Sequence, residues 1–151
     1  MLYRWQLFSF LRRNMTNTRF LLRSSALLLA MSVIGSADEA VDEYSKLMKP
    51  AAAANGALQK SVETDLAAAA SSAAEVKAAF QQIEQFWAKR GVADAQEFAK
   101  NVQQAADEAH AAAKAGNKEG AMAAAKKIGA NCQGCHKLHR DKGPDGNWVI
   151  K

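Results

Sequence analysis

Between Asp38 and Arg140 the chain is written almost entirely in helix-forming residues. Ala, Lys, Glu and Gln dominate, β-branched residues are few, and Pro50 is the single proline. No stretch shows sustained apolar–polar alternation bounded by turn residues, so strands have no basis in this region. Punctuation divides it into four segments. The first runs from about Asp38 to Glu63 and places Val41, Tyr44, Met48, Leu58 and Val62 close to one helical face. Pro50 interrupts it; the ring removes the hydrogen bond to the Lys46 carbonyl and predicts a kink near Met48. The second runs from Asp65 to Arg90, with Val76, Phe80, Ile83 and Trp87 on one stripe and Gly91 as C-cap. The third opens on a capping box, Asp94 with Glu97, carries Phe98, Val102, Ala105 and Ala109, and ends at Gly116. The fourth starts at Asn117 as N-cap and lines up Met122, Ala125, Ile128, Cys132, Cys135 and His139. Four helices of about 20–26 residues, roughly 30–39 Å long and joined by short loops, predict an all-α, antiparallel up-down four-helix bundle over 38–151. The tail 141–151 carries the turn signal Pro144-Asp145-Gly146 and reads as an irregular appendix, from which Trp148 can fold back onto the bundle.

Residues 1–37 read differently. They hold Arg4, Arg12, Arg13, Arg19 and Arg23 with no acidic residue, then the short apolar run "SALLLAMSVI", then Gly35, Ser36 and Ala37. A basic start, a brief apolar centre and a small-residue exit describe a secretory signal peptide, with cleavage expected after Ala37 and, nearly as well, after Gly35. The run is about 10 residues, short of the roughly 20 that a spanning helix needs. The processed chain is therefore expected to be periplasmic and not an integral membrane protein. Removing those five arginines from the chain's 20 basic residues leaves 15, against 15 acidic ones. A neutral mature surface gives phosphates no cationic field, which argues against nucleic-acid binding.

The chemistry sits in "IGANCQGCHKLHR", which holds both cysteines and two of the three histidines. Cys132, Cys135 and His136 spell C-x-x-C-H, the attachment signature of c-type haem. Two thiols one helical turn apart share a face and can add to the two vinyl groups of one macrocycle, and the next imidazole projects towards the same face. The rival readings are weaker. A disulfide within C-x-x-C would staple almost nothing. A thioredoxin-like redox pair belongs beside a βαβ pattern, which the chain lacks. A structural zinc site wants four ligands at broader spacing than Cys132, Cys135, His136 and His139 provide. Haem c is attached after export, so the signal segment and the motif support each other.

On these residues the chain resembles the cytochrome c′-like class II cytochromes c, four-helix bundles with the attachment motif near the end of the last helix. Gly129, Cys132, Cys135, His136 and Arg140 fall on that family's pattern, while His139 replaces its usual aromatic. In the first segment "YSKLMKPAAAANGAL" is similar to the low-spin members' phrase: Leu47, Met48 and Lys49 match, whereas Tyr44 stands where a basic residue is usual and Pro50 is a departure. The resemblance implies one covalently attached haem c held by Cys132 and Cys135, with His136 as proximal iron ligand and Arg140 beside a propionate. It implies no enzyme activity, but single-electron transfer with redox partner proteins, and homodimers through the first two helices as an option.

The iron's other face has few candidates. Met48 and Met122 are the methionines left after Ala37, and Met122 lies about 21 Å along the helix from His136. His139 is one turn beyond His136 on the proximal side, and His110 falls at the far end of an up-down bundle, as a surface histidine. Met48 is the candidate distal ligand. His/Met ligation gives a low-spin electron carrier. Without it the iron is five-coordinate and binds small gases such as NO or CO. Phe86, Trp87 and Phe98 are candidate haem-wall residues at the same end. Lys126, Lys127 and Lys137 form, with Arg140, a basic set around the motif.

Overall fold

The computed structural model describes residues 34–144 and 146–151. The expected signal segment lies outside the described residues except for 34–37. Four helices follow in chain order: α1 Ile34–Ser61, α2 Leu66–Arg90, α3 Ala93–Lys114 and α4 Lys118–His139. Two strands close the chain, β1 Arg140–Lys142 and β2 Trp148–Ile150. Val41–Lys151 form one compact unit, and residues up to Ala40 group separately.

The helix ends are set by the residues that punctuate the sequence. Asp65 caps α2 by accepting a hydrogen bond from Ala68 N at 3.0 Å. Gly91, at φ 69°, closes the same helix in the left-handed region that a Cβ disfavours. Asn117 Oδ1 caps α4 by accepting from Gly120 N at 2.9 Å. The capping box expected at Asp94 does not form. Helix α3 begins two residues earlier, its N-cap Val92 makes no side-chain cap bond, and Asp94 turns to other partners. Pro50 lies inside α1, which continues through it.

The four helices share one packing rhythm. Buried positions step by four and three through Ala69, Ala73, Val76, Phe80, Ile83 and Trp87 in α2, and through Ala95, Ala99, Val102, Ala106, Ala109 and Ala113 in α3. In α1, Tyr44, Ala51 and Leu58 recur every seven residues. A mean period of 3.5 keeps one seam facing inward along a whole helix, as left-handed bundles require. The expected all-α four-helix bundle is the fold.

Direct contacts fix the directions. The Tyr44 ring, near the start of α1, lies 4.9 Å from Phe86 and 5.2 Å from Trp87, at the end of α2. Gln59 Nε2, near the end of α1, donates to Ala125 O in the first half of α4 at 3.0 Å. His139, ending α4, bonds Asp94 at the start of α3. Neighbours therefore run antiparallel, and one end of the bundle collects the starts of α1 and α3 and the ends of α2 and α4. The far half of the core is mostly small: Ala69, Ala73, Ala106, Ala109 and Ala121. Bulk concentrates at the first end, where buried Phe86 and Trp87 each contribute about 1.5–3 kcal/mol of burial.

The tail is not irregular. β1 and β2 pair antiparallel, with Arg140 opposite Ile150 and Lys142 opposite Trp148. Gly143 N donates to Asn147 O at 2.8 Å across the turn, and Gly146 takes φ 78°. The Arg140 guanidinium and the Lys142 ammonium lie 3.9 and 4.1 Å from the Trp148 ring centre. These contacts, not apolar periodicity, hold the hairpin together. No helix among the described residues is long and apolar enough to cross a membrane.

Candidate functional site

The last two turns or so of α4 carry the C-x-x-C-H residues to the bulky end of the bundle. Cys132 and Cys135 are free thiols; Cys135 is buried and Cys132 half-buried. Gly134, between them, sits close under a side chain of the neighbouring helix. A Cβ there would come within 2.8 Å of the Phe98 ring from α3. Gly129, one of the positions that matched the family pattern, has open space where its Cβ would be.

Two spaces meet at this end. An outer cleft of about 260 Å³ is lined by Val41 and Met48 from α1, His136 from α4, and Arg140, Trp148 and Ile150 from the hairpin. An inner void of about 10 Å³ is walled by Cys132 and Cys135 together with Phe80, Ile83, Phe98 and Val102. At that size it holds no more than one water. Tyr44, Met48 and His136 line both spaces. The fold thus brings all five sequence-derived site residues, Met48, Cys132, Cys135, His136 and Arg140, to one place.

The electrostatics follow from burial. The Cys135 thiol is pushed up to about 11, by desolvation first and then by the neighbouring Cys132 and Asp94. Burial likewise raises Cys132. His136 is held below the usual imidazole range by burial, reinforced by the Arg140 cation. At neutral pH the site therefore offers two protonated thiols and a neutral imidazole, the form of histidine that binds metals. Burial also lifts the Tyr44 phenol above its ordinary range, so Tyr44 is uncharged throughout the physiological range. Arg140 Nε and Trp87 Nε1 are buried without a hydrogen-bond partner. Arg140 Nε is thus a buried donor in the wall of the cleft, and a carboxylate there would satisfy it.

The other candidates separate. Phe86 and Trp87 are core residues stacked with Tyr44, and Phe98 borders the inner void. His139 packs on Trp87 at 5.4 Å, and its Nε2 lies 3.0 Å from Asp94 Oδ2, so it ties the end of α4 to α3. His110 is not a free surface histidine: it is half-buried, and its Nδ1 lies 2.9 Å from Ala70 O. Of the basic set, Lys127 is paired with Glu108 at 2.7 Å. Among the described residues no three His, Cys, Asp or Glu side chains gather as a metal cluster. Tyr44 is buried on the helical face the sequence placed it on, and Trp148 does fold back onto the bundle, but Ile150 as a cleft residue went unforeseen. The "WVI" run was the available signal for it.

No family model, curated protein or solved structure matches the chain. The fold and the site define a four-helix bundle with a C-x-x-C-H end, and the functional reading rests on these residues.

Proposed function

We propose that the chain is an exported c-type cytochrome, a single-electron carrier with one haem c attached through Cys132 and Cys135 and ligated by His136 and Met48. The observation that carries this reading is that Met48, from α1, and His136, from α4, border the same cleft at the end where both thiols lie. Nothing in the local sequence of either helix demands that meeting. The donor set fits the group: two thiols one turn apart, a neutral imidazole, a thioether and an apolar surround. The haem would supply the one-electron change at iron. The chain's own residues would do the rest. His136, uncharged, presents a ring nitrogen lone pair. Arg140 finds in a propionate the acceptor its buried Nε lacks. Phe80, Ile83 and Phe98 keep water from the thioether side. His/Met ligation stabilises reduced iron, which suits transfer between redox partner proteins.

The cleft beside Met48 favours one second reading. Were the sulfur off the iron, the same space would admit NO or CO to a five-coordinate centre. Optical spectra separate the two. An electron carrier gives sharp α and β bands when reduced and no response to CO, and Met48→Ala converts it to a high-spin, CO-binding form. A wild-type spectrum that is broad, high-spin and CO-sensitive would overturn the Met48 assignment.

A further inference from the structure

The C-terminal hairpin belongs to the cleft and not merely to the chain's end. Its register puts Arg140, Lys142, Trp148 and Ile150 on one face of the two strands. That face is docked. Ile150 packs against the core, and Lys151 N–H donates to His139 O at 3.0 Å. Lys142 Nζ donates to Gly146 O at 2.7 Å while its ammonium sits over the Trp148 ring, which locks the turn to the ring. Arg140, Trp148 and Ile150 then line the cleft that Met48 and His136 share. Trp148 is about half exposed, at 51 %, as a wall with one face in solvent should be.

We propose that the β1–β2 hairpin forms a wall of the haem site, in which Trp148 is a positioning residue for Arg140 and Trp148 with Ile150 limits the access of water and small ligands to the cleft. The inference rests on the haem reading above. Its physical basis is that the apolar shell around a metal site controls solvent entry and local dielectric, and through them ligand exchange and reduction potential. Trp148 serves both ends at once: its ring carries the cation that would meet a propionate, and its bulk closes the cleft.

The test uses the exported full chain alongside a variant truncated after Lys142, Trp148→Ala and Trp148→Phe. Cyanide binding to the oxidised protein and the reduction potential are measured for each. Truncation and Trp148→Ala should each speed cyanide binding about tenfold and lower the potential. Trp148→Phe keeps a ring under the guanidinium and should stay near wild type. Hydrogen exchange supplies an independent reading: amides of β1 and β2 should exchange more slowly in the haem-bearing than in the haem-free chain. Haem-bearing variants with wild-type binding rates and potentials, or a hairpin equally protected with and without haem, would overturn the wall. If the truncated chain fails to accumulate, the Trp148 pair decides. A wild-type chain exported without haem absorption refutes the haem reading, and the wall with it.

Discussion

Two glycines of α4 should respond to alanine in opposite directions. Glycine inside a helix costs roughly 0.5–1 kcal/mol relative to alanine, through the backbone entropy it loses on folding. At Gly129 the added methyl meets nothing within 4 Å, so Gly129→Ala should stabilise by that amount. At Gly134 the same methyl would lie 2.8 Å from Phe98 Cε1 and 3.2 Å from Phe98 Cζ. Phe98 is half-buried, and forcing its ring off its seat costs about 1–3 kcal/mol. Set against the propensity gain, Gly134→Ala should be net destabilising by up to about 2 kcal/mol. Urea unfolding of the haem-free, reduced chain, followed by far-ultraviolet circular dichroism, measures both. Phe98→Leu supplies the control: in that background the penalty at position 134 should shrink or reverse, while the gain at 129 stays the same. Equal effects at the two positions, or no coupling between 134 and 98, would refute the packing described for this end of the bundle.

The lowered His136 carries a pH prediction. Its folded state holds a proton less tightly than the unfolded chain, so the haem-free protein should lose stability as pH falls below the ordinary imidazole value of about 6.5. His136→Gln should flatten that dependence in urea titrations at stepped pH. Alkylation by iodoacetamide in a Cys132→Ala background should still be slow at pH 8, because burial, the largest cause of the raised Cys135 thiol, remains when Cys132 is gone. Trp87→Ala, at a residue that is 1 % exposed, should cost about 3–5 kcal/mol in the same unfolding assay. An unchanged midpoint there would contradict the aromatic cluster.

Much of the bundle was legible in the chain because each helix carries its own instructions. Asp65, Gly91 and Asn117 act locally, within a few residues, and cap where their types and positions say they should. The end of the bundle that Met48 occupies followed from the up-down topology alone. What escaped the sequence depends on partners distant along it. Asp94 looked like a cap, but His139, at the far end of the next helix, draws its carboxylate away. The close approach at Gly134 comes from Phe98 on α3, distant along the chain. The hairpin has strands of three residues and too little alternation to register as strand; its cohesion comes from two cations on one indole. The apolar stripe of the first helix placed Tyr44 inward, but not its contacts with Phe86 and Trp87 or its place between the two spaces of the site.

The central claim is that the end of α4 carries a covalently bound haem. Intact-mass spectrometry of the exported chain, run beside a double variant carrying Cys132→Ser and Cys135→Ser together, tests it most directly. The account predicts a mass increase of one haem that survives denaturation in wild type, and no retained haem when both cysteines are replaced. A denatured wild-type chain at the mass of the polypeptide alone, after maturation in a haem-competent periplasm, would contradict it.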